Sequence, residues 1–404
     1  VKPTKGLLYL FTFIATTNFI NNSILIPILT PLFLKPEYNF FPSETTFSTR
    51  AFLLGLTLAS YFIAIFIGSP IAAKICDSAG RKKILMLTTF VTALGNLITA
   101  LGINYNKFYL IILGRLLAGI TGGSSTPIKA IISDISDATN RNKNFSYISL
   151  SLNLSNILGP LLGSELAHKE LVSWFNFSTP LFFLCLVGLM NLPLILIYIK
   201  ETLHEKSSLE IDLKSSFTQI KKIFSIKEIK FIMVALLFYT TGHTIFYETF
   251  QTYLIKEFNV SSRQIGTLFS YMGCVSLFTL LFIYNPVAKY LHAEKVISYA
   301  LIIYAFSMLL ILSLNHFSYI YFSLIITLTA CTFIQTLMIS CISAAASPST
   351  QGKFHAYHRS VQALGELSGP IFGGILVGSF IWMPLVFSAL LMILAWLVVK
   401  KIKN

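Results

Sequence analysis

The stretch Ala73-Lys-Ile-Cys-Asp77-Ser-Ala-Gly80-Arg81-Lys82-Lys83-Ile-Leu85 places a cluster of charges between two apolar runs, near residues 50–73 and 84–102. Each run is long enough to cross a hydrocarbon core of about 30 Å as a helix. The charged segment therefore reads as a short turn at a membrane surface. Gly80 permits a tight reversal, Asp77 can sit near the positive N-terminal end of another helix, and Arg81 and Lys82 hold the turn on the cytoplasmic side. The residues alone fit a basic topogenic turn.

Outward from this turn the same pattern repeats. The 404 residues are 55% hydrophobic and 11% charged, with a mean hydropathy of +0.74, which excludes a water-soluble domain of this length. Apolar stretches recur near 6–34, 50–73, 84–102, 107–133, 145–167, 177–199, 229–255, 263–285, 294–314, 318–346, 354–379 and 381–399. Lipid cannot satisfy a bare peptide group, so stretches of this length read as helices, whereas a barrel would need alternating segments of about ten residues. The expectation is an all-α membrane protein with twelve transmembrane helices.

A formal charge of +14 raises the question of a nucleic-acid partner. With both termini inside, 22 of the 30 lysines and arginines fall on cytoplasmic segments and six outside. That distribution obeys the positive-inside rule and needs no nucleic acid. The five cysteines lack the close pairing of a metal or redox motif and read as apolar packing. The first span lacks a cleavage-site pattern, so it is expected to stay in the mature protein.

The most hydrophilic stretch, 201–230, separates six spans from six and reads as a cytoplasmic linker with amphipathic helical character, giving bundles at 1–199 and 231–404 around a linker at 200–230. The halves echo each other. Ser155-Asn-Ile-Leu-Gly-Pro-Leu-Leu-Gly163-Ser in span five has a counterpart in Gly365-Glu-Leu-Ser-Gly-Pro-Ile-Phe-Gly373-Gly in span eleven, and Ser69-Pro-Ile-Ala-Ala-Lys74 resembles Asn285-Pro-Val-Ala-Lys289. Duplicated halves are how many secondary transporters build a site at their shared interface.

The turn at 73–85 resembles the first-loop signature of the major facilitator superfamily, with Ala73 and Ser78 where the family pattern has Gly and Arg. The resemblance implies that Asp77 helps latch one conformation. Span four, with Arg115-Leu-Leu-Ala-Gly119-Ile-Thr-Gly-Gly123, followed by Asp134-Ile and Arg141-Asn-Lys-Asn-Phe145, is similar to the tetracycline-type drug–proton antiporters. That similarity implies a proton-transfer role for Arg115 and a closing role for Asp134 and Arg141. Independently of any family, an arginine in hydrocarbon should face protein or a wet cavity; it can equally cap neighbouring carbonyls. Lys129, fourteen residues on, falls within about 40° of Arg115 on a continuous helix. It either lines the same cavity, favouring an anionic or zwitterionic substrate, or snorkels toward the cytoplasm.

Gly159-Pro160-Leu-Leu-Gly163 resembles the antiporter signature of span five, which implies export; a generic packed kink is the alternative. Span one carries Asn18 where the family often has a proton-binding acid. Asn18, Asn21 and Asn22 share a helical face and offer amides either to a cavity or to neighbouring helices. The intramembrane groups left to titrate are His243, Glu248 and Glu366. Glu366, near the midplane, is favoured as proton carrier, with a plain ion pair as the alternative, and His243 reads more readily as a helix-interface residue. The expected substrate cavity comprises Asn18, Asn21, Asn22, Arg115, Lys129 and Glu366.

The expected protein is a monomeric transporter in the bacterial inner membrane, binding a small molecule and protons, with no cofactor, metal or enzymatic motif. Two activities fit: proton–drug antiport, or proton-linked movement of one metabolite, nutrient or siderophore.

Overall fold

The computed structural model describes residues 5–120, 125–137, 140–203, 229–344 and 351–401. Most of the expected linker at 200–230 lies outside them. Helices are the only regular elements among the described residues: α1 (Lys5–Ser23), α2 (Ile26–Leu34), α3 (Phe47–Ala79), α4 (Arg81–Asn104), α5 (Phe108–Ile120), α6 (Ser125–Asp134), α7 (Arg141–Glu165), α8 (Thr179–Tyr198), α9 (Lys230–Phe258), α10 (Ser262–Phe278), α11 (Tyr284–Tyr290), α12 (Ala293–Leu312), α13 (Phe317–Ala344), α14 (Gln351–Ser379) and α15 (Met383–Lys400). Counting α1–α2, α5–α6 and α10–α11 as one span each, they match the twelve expected spans, with ends displaced by up to a turn or two. Nine segments among the described residues are long and apolar enough to cross a membrane, and α5 is a shorter apolar helix.

The interruptions have identifiable causes. Pro27 cannot donate to the carbonyl four residues back, and the Leu25 N–H turns to Asn22 O at 3.3 Å, so the first span breaks between α1 and α2. Before Pro286 the chain makes one wide turn over Thr279–Ile283, where the Tyr284 N–H reaches Thr279 O. The expected continuous span four is described as α5 and α6; residues 121–124 lie outside the described set.

Contacts divide the chain into two units. The first takes in Val1–Glu44, Ser60–Ile211 and Ser261–Ser270, the second Thr45–Ala59, Asp212–Val260 and Tyr271–Asn404. Unit one has a buried core of Phe11, Ile14, Leu85, Ile128, Ile132 and Ile195. In unit two α9 packs against α14 and α15, and α12 against α13 and α15.

Because lipid is as apolar as a leucine side chain, cohesion between membrane helices comes from close packing more than from hydrophobic burial. The glycines supply it. A Cβ on Gly159 would strike the Ser23 side chain, and one on Gly163 would meet Pro27 Cγ at 3.0 Å, so α7 lies tightly over the break in the first span. In unit two a Cβ on Gly369 would come within 2.5 Å of Thr244 Cβ, bringing α14 equally close to α9. The opposite faces repeat as well. Gly266 of α10 approaches Pro160 O of α7 at 2.6 Å, and Gly55 of α3 approaches Pro370 O of α14 at 2.8 Å, distances measured to the Cβ each lacks. Ser270 Oγ donates to Ile157 O (2.7 Å) in the first of these contacts, and Ser48 Oγ to Gly378 O (3.0 Å) in the second. The sequence echo between spans five and eleven is thus also an echo of contacts.

Candidate functional site

Arg115 of α5 is 1% exposed, the largest fully buried side chain among the described residues. Its Nη1 donates to Asn21 O at 3.3 Å and its Nη2 to Asn22 Oδ1 at 3.0 Å, while Cζ lies 4.2 Å from the centre of the Tyr61 ring. The helix break explains the first bond: Leu25 turns to Asn22 O, which leaves Asn21 O available to an outside donor. Further amides extend the cluster. Asn96 Nδ2 donates to Asn21 Oδ1 at 2.5 Å, Asn21 Nδ2 to Asn18 O at 2.9 Å, and Asn191 Nδ2 to Thr17 Oγ1 at 2.8 Å. Asn18 is 8% exposed and its Nδ2 meets no hydrogen-bond acceptor among the described residues. Arg115, Asn18, Asn21 and Asn22 therefore belong to one polar core inside unit one. Lys129, by contrast, is exposed.

At the turn that ends α3, Gly80 adopts φ +115° and ψ 145°, a conformation essentially reserved for glycine. Arg81 pairs with Asp77, and its Nε donates to Asp134 Oδ2 at 3.3 Å; Thr202 Oγ1 donates to the same Asp134 oxygen at 2.8 Å. Lys82 Nζ donates to Leu196 O at 2.7 Å. A carboxylate at the start of α4 is supplied by Glu201: it accepts the backbone N–H of Arg81 at 2.8 Å and of Lys82 at 3.2 Å. Partial burial pushes the Glu201 carboxyl up, but the N–H groups of Leu203, Arg81, Thr202 and Lys82 together outweigh it and hold it below its ordinary value. The Arg141 side chain lies outside the described set. Glu201, at the end of span six, was not legible as a partner, because no local pattern ties it to a turn 120 residues earlier.

In unit two, His243 Nδ1 shares a 2.9 Å hydrogen bond with Tyr304 Oη and stacks on Tyr239, whose Oη lies 3.1 Å from Cys331 Sγ. Glu248 is 3% exposed and lines a small recess with Leu54, Leu58, Pro370 and Gly374. Glu366 pairs with Arg359, Nη1 to Oε1 at 2.9 Å, two turns along the same helix. In unit one, Glu165 at the end of α7 pairs with Arg263 at 2.8 Å. No group of three or more metal-ligating side chains occurs among the described residues.

A duplicated set of membrane helices, with a buried arginine at a broken helix and an acid–base cluster on the first turn, defines a secondary membrane transporter. The Major Facilitator Superfamily model matches residues 11–254 and 232–403, and the chain belongs to that family. It is 25% identical over 346 residues to Multidrug resistance protein 2 of Bacillus subtilis (strain 168), covering 84% of each protein. It is 28% identical over 189 residues to the class H tetracycline resistance protein of Pasteurella multocida, covering 47% of this chain and 43% of that one. Among solved structures, a bacterial homolog of the human lysosomal transporter Spinster, inward-facing and unoccupied, superposes with a TM-score of 0.78 at 15% identity, covering 99% of this chain and 98% of that one; this likeness concerns the fold.

Proposed function

We propose that the chain exports small molecules, drugs among them, in exchange for protons. It works by alternating access across the bacterial inner membrane, with both termini cytoplasmic and the halves 1–199 and 231–404 as moving bodies. The observation that carries this reading is the seating of Arg115, a guanidinium inside a membrane-spanning bundle, held by amide oxygens and a tyrosine ring at a helix break. Charge in such a place is expensive and marks a transport pathway by default. The α7 face bearing Gly159 and Gly163 clasps the same break, so the segment resembling the antiporter signature and the buried cation form one assembly. Relatives named for multidrug and tetracycline resistance supply the direction and the substrate class.

Glu366 is the exchanging carboxyl in this reading, because neutralising it would remove the negative charge that Arg359 pairs with, and Glu248 is a second, buried carboxyl in unit two. Asp77, Gly80, Arg81, Lys82 and Asp134, with Glu201, form the latch of one state. Asn18, an amide where the antiporters often carry an acid, favours a second reading, proton-linked movement of one specific solute.

Efflux from proteoliposomes under an imposed pH gradient tests both. Arg115→Ala should abolish transport, whereas Glu366→Gln should lose gradient-driven efflux and keep substrate counterflow. Intact pH-driven efflux in Glu366→Gln would remove that residue from the coupling role, and transport of one solute with no drug moved would favour the second reading.

A further inference from the structure

The outward face of α12 in unit two carries a pattern that transport does not require. Lys295, Tyr299 and Ile303 follow each other at intervals of four residues, so they form one ridge descending about 12 Å from the lysine-rich end into the apolar part of the helix. That depth lies within one leaflet of a hydrocarbon core about 30 Å thick. Tyr299 is 68% exposed and Ile303 46%.

A groove runs along each side of this ridge. Toward α15 a recess of about 570 Å³ is lined by Glu294, Lys295 and Lys400 at its mouth and by Ile302 and Trp396 further along the two helices. Lys400 Nζ lies 3.9 Å from the centre of the Trp396 ring, which fixes its ammonium at the mouth. Toward α13 a second recess, of about 430 Å³, is almost wholly apolar, with Ile325, Ile326 and Phe333 as its far wall. Tyr299 and Ile303 border both.

From this geometry we infer that a diacyl phospholipid with a singly anionic, hydroxyl-bearing headgroup binds astride α12, its phosphate between Lys295 and Lys400 and one acyl chain in each groove. Charge complementarity decides the occupant. Two ammonium groups and the N-terminal end of α12 lie along the recess toward α15, an arrangement suited to anionic lipid at the helix ends of a membrane protein. Glu294 leaves a net charge of about +1 at the mouth, which matches a monoanion better than a polyanion. The same carboxylate offers an acceptor to headgroup hydroxyls. A choline head supplies no hydrogen-bond donor for Glu294.

The test uses the full chain with Trp174→Phe and Trp382→Phe, so that Trp396 is the sole tryptophan, reconstituted in phosphatidylcholine with equal mole fractions of brominated phosphatidylglycerol or brominated phosphatidylcholine. Brominated phosphatidylglycerol should quench Trp396 more strongly. Lys295→Gln and Lys400→Gln should each lower the relative affinity about fivefold, and the Lys→Arg variants should retain it. Taking the ratio of the two quenchers removes the change in Trp396 emission that Lys400→Gln itself brings. Equal quenching by both lipids, or a preference that survives the double Lys→Gln change, would overturn the site. Competition by soluble glycerol phosphate would mark a phosphate site instead and equally sink the lipid. Efflux is not part of the readout, so this inference and the transport reading fail separately.

Discussion

Arg115 shows how far single residues carry the argument. The sequence says only that a guanidinium in hydrocarbon needs company; the structure identifies that company as Asn21 O, Asn22 Oδ1 and the Tyr61 ring. A lysine keeps the charge but cannot bridge two acceptors with one planar fork. Hydrogen bonds to a charged group contribute about 1.5–3 kcal/mol, so Arg115→Lys should slow initial efflux about tenfold or more while the protein still reaches the membrane. Wild-type rates in that variant would reduce Arg115 to packing. Glu201 supports a second prediction. Its carboxyl is held below the ordinary value in the folded chain, so its contribution is fully present above the unfolded carboxylate value near 4.3 and is lost as pH falls through the lower folded value. Glu201→Gln should therefore lower thermal stability in detergent at neutral pH, and the gap to wild type should close in acid. A gap that persists unchanged in acid would contradict the capping role.

At the scale of elements, the helices were legible from hydropathy, whereas the spans were expected to be continuous and their interruptions emerged only in the structure. Pro27 is the local cause of the break in span one, yet nothing local says that the break would face Arg115 from another helix. The small residues were visible too, but not which partner each admits. At Gly266 and Ser164 the small residue sits on α10 and the serine on α7, and at Gly55 and Gly374 both partners are glycine. In the first contact α10 supplies the glycine, which leaves α7 room for the Ser164 side chain. Gly159→Val should cost about 1–3 kcal/mol by overpacking and loosen α7 from the break, and Gly369→Val should do the same between α14 and α9. Unfolding midpoints in detergent check both; an unchanged midpoint in either variant would show that the approach is not tight there.

For the whole molecule, charge asymmetry is the argument for orientation. Lys83 lies in the first turn of α4 and Lys107 just beyond its other end, and both are exposed. In a background without other cysteines, Lys107→Cys should react with a membrane-impermeant maleimide in intact cells and Lys83→Cys only after permeabilisation. The opposite labelling would invert the topology and with it the proposed direction of transport.

By itself the sequence determined that lipid is the solvent of this chain, that it crosses as helices, and that its halves repeat, because length, hydropathy and periodic small residues are properties of contiguous segments. It also singled out Arg115 and the turn at 77–82 as places where charge is costly or clustered. Only the tertiary structure decided the partners: Glu201 at the start of α4, Arg359 for Glu366, Tyr304 for His243, and Asn21 O for Arg115. Hydrogen bonds and ion pairs act over a few ångströms in space, and the chain folds those few ångströms from positions up to more than a hundred residues apart.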